Sequence, residues 1–396
     1  MCWKFVMNVL IVAATVGGMM SVAMADEAVT REVVEKVRPE VYRRTVFIGD
    51  SITDGNTYPA LVRTALEDGK RPGMVSICAG IGGDTAAGMR KRLVRDCLSY
   101  RPTLVTFNAG ANDAIHGVGP EAYEKDVRAV AEALKEAKIP LILLTTNIVG
   151  EKNARVRPRL AEFDAILRRI AKDYGLAVAE VNQRQNEALK AGTAQLSEDD
   201  LHPNYEGQRS IARAVLDAMG YADLAVPKQA RNELLPGVLT QWKARERNKR
   251  EDISEKTIGD VKVDETWTAV ELPDKTAAAQ DWLDDVRAQG ACTSLQKKMP
   301  KGILAVTVVR AEKAKKVFMN VGAEDDKIFL NGKEIYHHTL ADWYGWHLAK
   351  QAVPIELKEG ENTFVMQAGG VFFLSLTDEP IYDVIQKEQD AGEKAE

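Results

Sequence analysis

From residue 45 to about residue 220, short apolar runs alternate with longer stretches in which apolar positions recur every three to four residues. The runs 45–48, 74–78, 103–108, 141–145 and 177–181 predict strands, and the stretches 58–68, 86–100, 120–137, 157–174 and 207–219 predict helices. Strands that are apolar at consecutive positions are buried on both faces, and a helix after each one carries the chain back to a parallel neighbour. The expected architecture is a three-layer α/β sandwich around a parallel five-stranded sheet.

Beyond Pro227 the pattern changes. Residues 241–252 carry Lys243, Arg245, Arg247, Lys249 and Arg250, interrupted by Glu246 and Glu251, and read as a charged helical connector with a solvated face. After it, period-two alternation marks 267–272, 303–310, 316–321, 327–330, 333–337, 353–357, 362–367 and 371–376. Asn331-Gly332 is a two-residue hairpin signal, and 358–361 supplies another turn. Many short strands at close spacing predict a β-sandwich of jelly-roll type. The expected divisions are a leader over 1–25, an α/β domain over 26–224, the connector over 225–255, the β-sandwich over 256–385 and a loose polar tail over 386–396.

The leader reads as an address. Lys4 precedes an apolar run over 5–16, a Gly17-Gly18 break and Ala23-Met24-Ala25 before Asp26, the order of a secretory signal peptide. The run is short for a bilayer span, and no cysteine lies just after the cleavage point, so no lipoprotein signal is read. A secreted or periplasmic protein without stable membrane insertion is expected. The 396 residues are 45% apolar and 28% charged, a balance that supports two packed domains and excludes disorder as the main state. With a net charge of −5 and no concentrated basic face, nucleic acid is not an expected partner. Once Cys2 leaves with the leader, Cys78, Cys97 and Cys292 match no metal or redox spacing and read as buried free thiols. A Cys78–Cys97 disulfide would require the two Cα atoms within about 7 Å. His337-His338 stands apart from other ligands, so no metal site is expected, and no cofactor motif is present.

In a parallel α/β sheet, functional residues collect in the loops at the carboxyl ends of the strands. Those loops hold four polar clusters: Gly49-Asp50-Ser51, the glycine-rich Gly80-Ile81-Gly82-Gly83-Asp84, Gly110-Ala111-Asn112-Asp113, and Asp199-Asp200-Leu201-His202-Pro203. Acyl transfer by a hydroxyl needs a nucleophile, a base, a group that orients the base, and donors for the developing oxyanion. Ser51 suits the first role and His202 the second. Asp199, three residues before His202, can hold the far ring nitrogen. The backbone N–H groups of Ser51 and Gly83 and the Asn112 amide are the candidate donors, with glycine favoured at 83 for close approach and unusual dihedrals. Asp200 is the alternative orienter, Asp113 reads as a helix cap or an orienter of the donor loop, and His116 reads as an exposed loop residue.

Gly-Asp-Ser, a glycine loop, Gly-x-Asn-Asp and Asp-x-x-His-Pro, in that order, resemble the four blocks of the SGNH (GDSL-type) esterase family over roughly 45–219. The resemblance implies a flavodoxin-like sheet, catalytic Ser51, Asp199 and His202, and oxyanion donors Ser51, Gly83 and Asn112. Two departures stand out. Ile52 replaces the Leu of the family's namesake, and Cys78 stands where Asn is common, touching the support of the glycine loop rather than its donor. The absence of Gly-x-Ser-x-Gly around Ser51 disfavours the α/β-hydrolase elbow.

Trp242, Trp267, Trp282, Trp343 and Trp346 all lie in the distal part, where they suit sandwich packing better than a sugar-stacking platform. The segment 318–376 loosely resembles galactose-binding-like sandwiches. The function expected from these readings is an exported serine esterase acting on a small-molecule or polysaccharide ester, with O-acetyl groups on polysaccharide as substrate. The alternatives are lysophospholipase, thioesterase or arylesterase activity on the same fold, and a non-catalytic glycan-binding protein.

Overall fold

The computed structural model describes residues 42–248, 251–272, 277–279, 287, 289–293, 295, 298–338 and 347–394. The predicted signal peptide lies outside the described residues. So do Trp282, Trp343 and Trp346. Among the described residues, no helix is long and apolar enough to cross a membrane.

The five predicted runs form β1 (Arg44–Gly49), β2 (Val75–Gly80), β3 (Leu104–Asn108), β4 (Leu141–Leu144) and β5 (Ala177–Ala179). They pair in the order β2-β1-β3-β4-β5, with every pairing parallel. Consecutive apolar side chains along each strand go to opposite faces. Val46, Ile48, Val105, Phe107, Leu141 and Leu143 enter one core, while Phe47, Leu104, Ile142 and Leu144 enter the other. The first face is covered by α3 (Ala86–Asp96), α5 (Pro120–Glu136) and α6 (Arg157–Tyr174), and the second by α2 (Thr57–Asp68) and α8 (Tyr205–Ala218). Two four- and five-residue helices, α1 (Ser51–Asp54) and α4 (Ala111–Ile115), follow β1 and β3. Helix α7 (Val181–Lys190) buries only Val181 and Gln185, too few positions to leave a periodic signal.

The register aligns the functional loops. Gly49 pairs with Gly80 on one side and Asn108 on the other, so β1, β2 and β3 end at one level. The loops after these strands therefore open side by side, at the point where the strand order reverses.

The second sheet is antiparallel, with seven strands. It comprises β7 (Gln241–Glu246), β8 (Thr268–Glu271), β10 (Ile303–Ala311), β11 (Lys315–Leu330), β12 (Lys333–His337), β13 (Gln351–Leu357) and β14 (Gly360–Thr377). A separate two-stranded ladder joins β6 (Ala230–Asn232) to β9 (Ala277–Ala279). Four of the expected strands are halves of two long ones, for β11 and β14 each run through a segment expected to break. Their mutual register shifts between Ala323 and Lys327, and there acidic side chains take up backbone N–H groups. Asp325 accepts from Gly322 at 3.1 Å and from Phe373 at 3.2 Å, and Glu324 accepts from Val371 at 3.1 Å. The result is a sandwich-like bend rather than two turns.

Two further expectations are corrected. Residues 241–246 of the connector are strand, not helix. Gln241 and Lys243 face outward while Trp242 and Ala244 are buried, and the Arg245 guanidinium sits 5.3 Å from the Trp267 ring centroid. A period of two was hidden there by the charges. The tail is also ordered as α9 (Ile381–Glu393), anchored by buried Ile381 and Tyr382. The described tryptophans, Trp242 and Trp267, pack within the sheet-rich part. Cys78 and Cys97 are not joined in a disulfide, and burial pushes both thiols up to about 12, while Cys292 is buried in the core of the second sheet.

Candidate active site

Strand β1 stops at Gly49, and Asp50 caps α1 by accepting the Ile52 N–H at 3.0 Å, so that Ser51 opens the helix. The loop bearing Asp199 and His202 is closed by an antiparallel bridge between Leu196 and Pro203. Asn204, not Asp199, caps the helix that follows, accepting from Gly207 at 2.9 Å. Asp199 is therefore left for the imidazole. Its Oδ2 lies 2.6 Å from His202 Nδ1, and its Oδ1 accepts the backbone N–H groups of Leu201 and His202, each at 2.9 Å.

His202 Nε2 lies 2.8 Å from Ser51 Oγ. With Nδ1 protonated toward the carboxylate, Nε2 presents a lone pair to the hydroxyl, the tautomer a general base requires. Partial burial acts to raise the Asp199 carboxyl, but the bonds from the His202 ring and the two N–H groups outweigh it and hold the group below its ordinary value. Asp200 faces elsewhere. Its backbone is left-handed at φ 60°, and its Oδ2 accepts from Lys152 N at 3.1 Å.

Among the candidate donors, Gly83 has φ +78°, and a Cβ built there would meet nothing within 4 Å. Glycine is required by the backbone angle, not by crowding from the protein. Asn112 Nδ2 donates to Asp50 Oδ2 at 3.2 Å and to the Asp84 carbonyl at 3.1 Å, so one amide ties the turn after β1 to the loop after β2. Asp50 is almost completely buried, and desolvation pushes its carboxyl up to about 7 despite the Ile52 N–H bond. Both oxygens of Asp113 lie 3.2 Å from Ala86 N, the first residue of α3. Asp113 caps neither helix, since it lies inside α4 and Thr85 caps α3, but its bonds to Ala86 tie the start of α3, and with it the Gly83 loop, to the loop after β3. Cys78 Sγ donates to the Thr53 carbonyl at 3.0 Å, tying β2 to α1.

A cleft of about 520 Å³ opens over Ser51, Gly82, Asp199 and His202, with Tyr205 and Gln208 in its wall. His116 is exposed and not part of that wall. The residue missed from sequence is Arg92, whose guanidinium is buried among Asp84, Asp96 and two strand-end carbonyls. A signal was present, since Arg92 falls on the apolar stripe of α3 beside Met89 and Leu93, with Asp96 four residues on.

Residues 47–210 match the GDSL-like Lipase/Acylhydrolase family. An acetylxylan esterase from Geobacillus stearothermophilus is 26% identical over 207 residues, covering 45% of this chain and 94% of the relative. The thioesterase 1/protease 1/lysophospholipase L1 of Escherichia coli (strain K12) is 25% identical over 169 residues, covering 42% of this chain and 78% of the relative. Among solved structures, an alpha/beta hydrolase enzyme from the metagenome of Lake Arreo, Spain, superposes with a TM-score of 0.42 at 26% identity, over 45% of this chain and 95% of that one. With the match falling on the part that carries all four polar clusters, residues 47–210 are a GDSL-like lipase/acylhydrolase domain, and the protein is a carboxylic ester hydrolase.

Proposed function

We propose that this protein is an exported serine esterase that removes O-acetyl groups from a polysaccharide through an acyl-Ser51 intermediate. The observation that carries the reading is the unbroken contact from Asp199 through His202 to Ser51 at the mouth of the cleft, at 2.6 and 2.8 Å. His202 Nε2 takes the Ser51 proton as the oxygen attacks the ester carbonyl, and Asp199 stabilises the imidazolium. The developing oxyanion is met by the N–H groups of Ser51 and Gly83 and by the Asn112 amide, which turns partly from Asp50 and Asp84. The protonated His202 then gives its proton to the departing sugar oxygen, which leaves as a hydroxyl, and water repeats the sequence to release acetate.

The substrate rests on the cleft and on a relative. Ser197, Asn204, Tyr205 and Gln208 line the cleft beside Ile52 and Pro203, a mixed polar and apolar wall on which a sugar ring and its hydroxyls can rest. A similar protein of known name is an acetylxylan esterase. Export rests on the leader sequence alone. The second reading, thioesterase or lysophospholipase activity, has in its favour the Escherichia coli relative.

Purified protein assayed on acetyl, butyryl and octanoyl chromogenic esters, beside Ser51→Ala, tests both. Acetyl preference that is lost in the variant is expected. Preference for the octanoyl ester would move the assignment to a lipid hydrolase, and an inactive parent would leave a glycan-binding role.

A further inference from the structure

We infer that Arg92 is the positioning residue of the oxyanion hole, a single buried cation that fixes the turn before Ser51 and the loop of Gly83 against one another. The inference rests on the roles proposed above for Ser51, Gly83 and Asn112.

Arg92 lies on the sheet-facing side of α3 with its side chain 8% exposed. Its Nε donates to Asp84 Oδ2 at 2.7 Å. One terminal nitrogen donates to the Ala79 carbonyl at 2.7 Å and to Asp96 Oδ2 at 3.1 Å, and the other to the Gly49 carbonyl at 2.9 Å. These acceptors are the last turns of the frame that holds the donors. Gly49 stands two residues before Ser51, and its carbonyl also accepts the Ile81 N–H at 3.0 Å. Ala79 leads into the glycine loop. Asp84 follows Gly83, and its own carbonyl holds the Asn112 amide. Through Asp84 the guanidinium therefore reaches both of the donors that do not belong to the Ser51 turn.

The chemistry explains why the residue is arginine. A planar fork of five N–H donors spans two carboxylates and two carbonyls at fixed angles, whereas an ammonium is a point charge on a flexible stem. A tie that served stability alone needs only Asp84 or Asp96. The two contacts to strand-end carbonyls set where the donors stand, and misplacement of such groups by about 1 Å costs about 10²-fold in rate.

The test uses the full chain with Arg92→Lys, Asp84→Asn and Ser51→Ala, each checked for folding by circular dichroism. Hydrolysis of an acetyl ester and covalent labelling of Ser51 by an organophosphonate are followed. Expected is an inactive Ser51→Ala and, in folded Arg92→Lys, a kcat lower by about 10- to 100-fold with KM within about twofold, labelling slowing in parallel. Should Arg92→Lys fail to fold, Asp84→Asn is read by the same quantities. Parental kcat in the folded variants, or a loss that follows only the unfolded fraction or only KM, overturns the inference while leaving the esterase reading intact. A Ser51→Ala protein as active as its parent removes the esterase reading first and this inference with it.

Discussion

Asn112 donates from one nitrogen to the buried carboxyl of Asp50 and to the carbonyl of Asp84, so its amide is already held between the two loops that frame the cleft. One of these two bonds must lengthen as its N–H swings to an oxyanion, the other keeping the amide in place, and removing such a donor typically lowers kcat by about 10² to 10³. Asn112→Ala should show that loss on an acetyl ester with KM nearly unchanged. Unaltered kcat would remove Asn112 from the donor set. Asp50 makes a separate prediction. Desolvation, reinforced by Asp113 and Asp84 and opposed by the Ile52 N–H and His202, places its folded pKa at about 7. The unfolded value is about 3.9, so in that window the folded state holds a proton that the unfolded state releases. Stability from this group is full below about pH 4 and falls as pH rises through about 7. Asp113 and Asp164, each raised to about 6 chiefly by burial, act in the same direction. Asp50→Asn, neutral throughout, should therefore lessen the decline in melting temperature between about pH 5 and about pH 8, and identical slopes for parent and variant would contradict a buried proton on Asp50.

At the scale of elements, close approach makes its own demand. A Cβ at Gly80 would stand 2.1 Å from the Asp54 backbone nitrogen, so β2 and α1 meet at a point where only glycine fits. Gly80→Ala should push α1 off the sheet, lowering stability by about 1–3 kcal/mol in urea titration and kcat with it, because Ser51 belongs to α1. Much of this frame is legible in sequence, since strands buried on both faces appear as unbroken apolar runs and the clusters after them are local motifs. What stayed hidden depends on partners distant along the chain. Asn112 and Asp50 are separated by 62 positions and Arg92 and Gly49 by 43, and no periodicity encodes either contact. The long strands β11 and β14 read as four in sequence because Glu324 and Asp325 in β11 and Gly369-Gly370 in β14 look like turns until the two carboxylates are seen bonded to N–H groups of β14. Strand β7 reads as helical in sequence because its charged residues Lys243, Arg245 and Glu246 outnumber the two inward-facing positions, Trp242 and Ala244, that betray its period.

The whole molecule is joined by a shared core rather than by a linker. Ala291, Leu348, Ala349, Val371, Phe373, Ile381 and Tyr382 belong to the same buried cluster as Val46, Ile48, Val105 and Phe107 of the parallel sheet. Helix α9 adds polar contacts to that junction. Arg43 pairs with Asp390 and Glu393, Asp383 receives Arg44 at 2.8 Å and Arg101 at 2.6 Å, and Glu393 accepts from Gly73 N at 2.9 Å. The pairs of Arg43 and Arg101 reach solvent through at least one partner and contribute about 0–1 kcal/mol each, whereas a buried side chain of the size of Ile381 or Tyr382 contributes roughly 1.5–3 kcal/mol. The apolar anchors therefore decide the effect of losing the helix. A chain ending at Asp378 lacks both anchors and uncovers the core side chains they cover, and its melting temperature should fall by several degrees even though no residue of the cleft is removed. In scanning calorimetry the complete chain should unfold in one cooperative transition and the shortened chain in one transition at lower temperature. Two separate transitions in the complete chain, with the esterase activity lost in a step unmoved by the truncation, would mean that the junction carries no stability and that the parallel sheet stands alone.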